Sequence, residues 1–98
     1  MTQAEFNIRL YLSGAMARLV KLVEAHQDKA TPQRKLYDSM EQLFNSLNDE
    51  VLAFIRLRYM EQLTLDEIAK LTGLSRSQVH TRTHKVLQSV RDLLADIE

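Results

Sequence analysis

The sequence predicts an all-α fold, a small bundle of about five helices that ends in a helix-turn-helix. Three observations lead there. The 98 residues contain only two Gly and one Pro, while the good helix formers Leu, Ala, Glu, Gln and Arg are abundant. Apolar residues recur at helical spacing. Two capping-box sequences, Thr64-Leu65-Asp66-Glu67 and Ser75-Arg76-Ser77-Gln78, flank a single glycine, Gly73.

Taken in order, residues from Gln3 to about Gln27 read as one long helix. Phe6, Leu10, Ala17 and Val20 form one apolar stripe; Ile8, Leu12, Ala15, Leu19 and Leu22 form another. The apolar surface is wider than a one-sided surface helix needs, so this helix either lies deep in the fold or packs on a partner. The break Asp28-Lys29-Ala30-Thr31-Pro32 follows. Thr31 caps the next helix, with Pro32 at its first position, where a missing N–H costs nothing. That second helix runs to about Ser46, with Leu36, Tyr37, Met40, Leu43 and Phe44 inward. A third, capped by Asn48, runs from Asp49 to Met60, with Val51, Leu52, Ile55, Leu57 and Tyr59 as candidates for burial. A short helix from Leu65 to Thr72 is closed by Gly73 in a left-handed conformation. A long helix then runs from Arg76 to near Ile97. Ile68, Ala69, Leu71, Leu74 and Val79 are spaced to bury between these last two. The chain divides into a helical extension, residues 1–46, and a helix-turn-helix unit, residues 47–98.

The last helix carries the chemistry. With Val79 as the core reference and 100° per residue, Val86, Val90, Leu93, Leu94 and Ile97 fall on the inner side. Ser77, Gln78, Thr81, His84, Lys85 and Gln88 fall opposite, with Arg76, His80 and Arg82 flanking. From Arg76 to Arg91, both included, there are four basic residues, two histidines and no acid, in a chain whose 13 basic and 13 acidic residues cancel. Duplex DNA rewards this arrangement. Cations and helix N-termini attract phosphate, and Arg, Gln, Ser and Thr early in a recognition helix reach base edges in the major groove. Candidate DNA contacts are therefore Arg76, Ser77, Gln78, His80, Thr81, Arg82, His84 and Lys85.

These residues also carry a resemblance. Leu57-Arg58-Tyr59-Met60-Glu61-Gln62-Leu63-Thr64-Leu65-Asp66-Glu67-Ile68-Ala69 resembles the opening of region 4 of bacterial sigma-70 family factors, which typically reads L-R-Y-x-E-G-L-S-L-x-E-I-A. Gly73-Leu74-Ser75-Arg76, then Val79, Thr81-Arg82 and Lys85, resembles the continuation G-x-S-x-x-T-V-x-S-R-L-x-R-A. The likeness covers about Leu47 to Leu94. It implies a DNA-binding domain that reads the upstream promoter element and touches RNA polymerase, and it implies that Arg76, Ser77, Gln78, His80, Thr81 and Lys85 face DNA while the start of the preceding helix, near Thr64 and Leu65, approaches phosphate. Three departures have expected consequences. Gln62 replaces a usual Gly, which makes that turn longer or strained. Thr83 replaces an apolar residue, which weakens one core contact. Val86 replaces a small Ala, which pushes a neighbouring helix outward. Residues 1–46 do not resemble sigma region 2, so the chain reads as a region 4 module with its own extension.

Other chemistry is weakly supported. With no Cys, disulfides, thiolate metal sites and cysteine nucleophiles are excluded. His80 and His84 have metal-ligand spacing but no third ligand nearby. There is no nucleophile–base pair or phosphate loop, so neither an enzyme nor a cofactor is expected. No apolar run spans a membrane and no signal-peptide core precedes Leu10, so a cytoplasmic protein is expected. Arg56 and Arg58 suit either a solvated face or contact with phosphate or polymerase. The partners expected are double-stranded DNA, RNA polymerase, and a second copy bound through the first helix. The competing expectation is a protein-binding module that docks on polymerase or on a sigma or anti-sigma partner without reading DNA.

Overall fold

The computed structural model describes residues 2–26 and 31–97, the side chain of Ile97 excepted. The expected end of the first helix at Gln27 and the break at Asp28-Lys29-Ala30 lie outside the described residues. Six α-helices are present among them: α1 Gln3–Leu12, α2 Ala15–His26, α3 Pro32–Asn45, α4 Asp49–Ile55, α5 Leu65–Thr72 and α6 Arg76–Ile97.

The single long helix expected at the start is two. Gly14 sits at φ +85°, a region that L side chains avoid, and α1 stops there. Ser13 joins the pieces: its hydroxyl donates to the Leu10 carbonyl at 3.1 Å and accepts from the Ala15 N–H at 3.3 Å. The wide apolar surface is thereby divided between two helices. α1 buries Ala4, Asn7 and Ile8, and α2 buries Met16 and Val20. Phe6, Leu19 and Leu22, placed by periodicity on apolar stripes, are exposed.

The other starts follow the capping chemistry. Thr31 Oγ1 accepts from Arg34 N–H at 3.2 Å, with Pro32 opening α3. Asn48 Oδ1 accepts from Val51 N–H at 2.8 Å and opens α4. α4 then widens into one π-helical turn, Arg56–Met60, in which Glu61 N–H reaches back to the Arg56 carbonyl at 3.0 Å. The turn that follows contains Gln62 at φ +59°, so the position where a glycine is usual is strained, as expected. With its amide oxygen toward α1, Gln62 accepts from Arg9 Nη1 and Nη2 at 3.1 Å.

Two apolar clusters hold the molecule. The larger contains Ala4, Ile8, Met16, Met40, Phe44, Ile55, Val86, Leu87 and Val90. The smaller contains Phe54, Ile68 and Val79, with Leu57, Leu63, Leu65, Ala69 and Leu74 around them. α6 belongs to both. Val79 closes the smaller cluster, and the next two turns bury Val86, Leu87 and Val90 against α1 and α3. Thr83, between them, is buried, and its hydroxyl donates to the Val79 carbonyl at 3.0 Å. The i−4 bond satisfies the polar atom, so the site loses apolar bulk without gaining an unsatisfied group. Leu71, expected between α5 and α6, is 69% exposed, because α5 turns Ile68 inward and Leu71 lies off that face. Tyr11 from α1 and Tyr37 from α3 both donate to Glu41 Oε1, at 2.6 and 3.2 Å. Burial and this carboxylate push both phenols above their ordinary range.

Candidate nucleic-acid interface

The geometry of the helix-turn-helix is set by its caps. Thr64 N–H donates to the Glu67 carboxylate at 2.9 Å while Glu67 N–H donates to Thr64 Oγ1 at 3.1 Å. Ser75 and Gln78 repeat the reciprocal pair at 2.9 and 3.1 Å. Between them Gly73, at φ +74°, donates its N–H to the Ala69 carbonyl. Ile68 and Val79, both fully buried, lock α5 against α6. The sequence therefore determines where α6 starts and which way it faces.

Ser77, Thr81, His84 and Lys85 are exposed, and the helical repeat places them on the side of α6 opposite Val79 and Val86. Thr81 donates to the Ser77 carbonyl at 3.0 Å, so its hydroxyl oxygen still has a free lone pair. His80 and His84 stack with ring centroids 5.3 Å apart. Among the described residues no group of three or more His, Cys, Asp or Glu side chains could hold a metal ion. Lys85 makes no ion pair among the described residues. Arg76 meets Asp66 at 3.4 Å, with both side chains more than two-thirds exposed. An exposed pair of this kind contributes little and exchanges readily.

Three of the expected contact residues are partly committed elsewhere. Gln78 spends its amide oxygen on the cap of α6 and keeps only its NH₂ for a ligand. Thr64 spends its hydroxyl on the cap of α5. Arg82 departs most. It turns toward α4, where its guanidinium pairs with Glu50 and lies over the Phe54 ring, 5.6 Å from the centroid.

An open groove of 620 Å³ brings the start of α5 to the start of α6. It is lined by Leu65, Arg76, Ser77, His80 and Arg58. Arg58 is the residue whose membership the sequence left undecided. Its Nη1 donates to the Leu63 carbonyl at 2.9 Å, which ties the side chain to the turn before α5. Arg58, before the turn at Gln62, and His80, on α6, line this groove together.

Among the described residues no helix is long and apolar enough to cross a membrane. Comparison with curated proteins and with solved structures yields no match. Residues 43–92, half of the chain, match the family model described as sigma-70, region 4, whose domain is a helix-turn-helix. That family is one of DNA-binding domains and not of enzymes. The match spans both capping boxes, the Gly73 turn and the basic stretch of α6, and the chain belongs to the sigma-70 region 4 family.

Proposed function

We propose that the protein is a DNA-binding transcription regulator of the sigma-70 region 4 type, acting in the cytoplasm. Residues 76–91 of α6 enter the major groove of promoter DNA, and the start of α5 near Thr64 approaches phosphate. Ser77, Gln78, His80, Thr81, His84 and Lys85 face the bases, and Arg76 grips the backbone. The observation that carries this reading is the exposed outer face of residues 76–91 of α6, a stretch with no acid, held at a defined angle by two capping boxes in a chain of zero net charge. Residues 47–98 form the DNA-reading unit and residues 1–46 an extension that supports it. RNA polymerase is a further partner. Self-association through the N-terminal helices, motivated by exposed Leu19 and Leu22, would place two recognition helices on two half-sites. A monomeric mass by light scattering at tens of micromolar rejects that part.

The test is selection from random duplexes at two salt concentrations, with sequencing of the retained DNA. An enriched motif, with affinity falling steeply as salt rises, is expected. Lys85→Ala weakens binding by about 1–3 kcal/mol, as for a base contact, and Arg76→Ala weakens it with a salt slope lower by about 0.9, as for a phosphate contact, while the helical signal survives in both. No enrichment and no retention at low salt overturns the reading.

The protein-docking alternative is supported by a different feature. An apolar groove of 400 Å³ lined by Glu50, Ala53, Phe54, Leu57, Thr72 and Leu74 opens between α4 and the end of α5. Retention of RNA polymerase at high salt, with no DNA retained at low salt, favours it.

A further inference from the structure

Arg82 belongs to the basic stretch of α6, yet its environment differs from that of Arg76. Arg76 is 68% exposed and its partner Asp66 is 73% exposed, so a phosphate can replace the carboxylate at small cost. The Arg82 side chain is 37% exposed and that of its partner Glu50 61%, so the shielded member of this pair is the arginine. It leaves α6 between the DNA-facing side and the core, ion-pairs with Glu50 in the first turn of α4, and covers the buried Phe54 ring. Planar guanidinium suits both contacts at once, a carboxylate at the edge and an aromatic face below. Glu50 and Arg82 are 32 residues apart in sequence, and their contact bridges α4 to the recognition helix.

We propose that Glu50 is a positioning residue that holds Arg82 against α4, so that Arg82 acts as a strut fixing the recognition helix and is withheld from the DNA phosphates. The proposal rests on the DNA-binding reading above and deepens it: Glu50 sets how many phosphates the site engages. The carboxylate occupies the edge of the guanidinium that a phosphate would otherwise take.

Two experiments on the full chain test it. The first needs no DNA. Thermal unfolding of the wild type, Glu50→Gln, Arg82→Ala and the double variant forms a mutant cycle. The double variant is expected to lose less than the sum of the single losses; additive losses overturn the contact. The second is the slope of log affinity against log salt for a selected duplex, which a purely structural role would not move. One phosphate contact contributes about 0.9 to that slope. Arg82→Ala is expected to keep the wild-type slope. Glu50→Gln is expected to steepen it by about 0.9, because the freed arginine gains a phosphate, and to have no effect on slope in the Arg82→Ala background. Asp49→Asn removes the same charge from the same turn and is expected to leave the slope alone. A slope flattened by Arg82→Ala, or one unmoved by Glu50→Gln, overturns the proposal. Failure of the wild-type chain to retain any duplex at low salt would instead sink the DNA-binding reading, and the unfolding cycle would still decide whether Glu50 holds Arg82.

Discussion

Gly73 and Glu67 show how much single residues decide here. Gly73 sits at φ +74°, and an added Cβ would meet no heavy atom within 4 Å. Gly73→Ala therefore costs only the left-handed backbone penalty, about 1–2 kcal/mol. In a domain of this size that lowers the melting temperature by about 4–8 °C per kcal/mol. An unchanged melting temperature would mean that the turn has another conformation. Glu67 is held below the ordinary carboxylate range, first by the Thr64 backbone N–H, then by the Thr64 hydroxyl, with Lys70 adding a weaker pull. Because the folded value is depressed, this stabilisation is present above the ordinary carboxylate range and is lost as pH falls through the lowered value. Glu67→Gln is expected to flatten the acid limb of a plot of urea midpoint against pH. An acid limb identical to that of the wild type would show that the cap does not form in solution. Both residues were legible in the sequence, because a capping box and a C-cap glycine are local signals. Arg82 was not, because its partner Glu50 is remote in the chain.

Among the elements, α1 and α2 were the least legible. Two helices separated only by Ser13 and Gly14 bury Ala4, Asn7 and Ile8 on one face and Met16 and Val20 on another, so in sequence they read as one helix with an unusually wide apolar face. The left-handed φ at Gly14 breaks that continuity and lets each piece bury a different face. Ile8 is fully buried between α1, α3 and α6, and Ile8→Ala is expected to cost about 2–5 kcal/mol in urea unfolding. A loss under about 1 kcal/mol would show that α1 is not docked. The Tyr11 hydroxyl ties the same helix to α3 through Glu41. Tyr11→Phe is expected to cost about 1.5–3 kcal/mol, the range for a hydrogen bond to a charged group. Equal stability of the two proteins in urea would show that water satisfies Glu41 equally well. α5 and α6 fall where their caps predict, and Leu71 alone among the residues assigned between them points outward.

For the whole molecule, the question is why a family domain matched over residues 43–92 comes with an extension. The principal extents are 49 × 24 × 22 Å, and α6, with 22 residues, runs about 33 Å of that length. Its first turns close the small cluster around Ile68, and its later turns fill the large one. Removing residues 1–46 would strip Ala4, Ile8, Met16, Met40 and Phe44 from the larger cluster and expose Val86, Leu87 and Val90. The fragment 47–98 is then expected to melt without a cooperative transition, since a core of that size supplies little net stability. A sharp thermal transition of the isolated fragment, measured by circular dichroism, would reject this. The extension on this view keeps the recognition helix rigid along its length.

The helical class, the two capping boxes, the Gly73 turn and the outward face of α6 are written in the chain. Each of these depends on residues within one or two helical turns, and such interactions can be read from spacing. The strained turn at Gln62 was also readable, from the missing glycine. The break in the first helix, the joining of two clusters by α6, the groove that Arg58 shares with His80 and the pairing of Arg82 with Glu50 appear only once the chain has folded. Those features depend on which surfaces meet across the fold. Apolar periodicity states that a face is buried, but burial against α4, α1 or a partner leaves the same pattern in the chain.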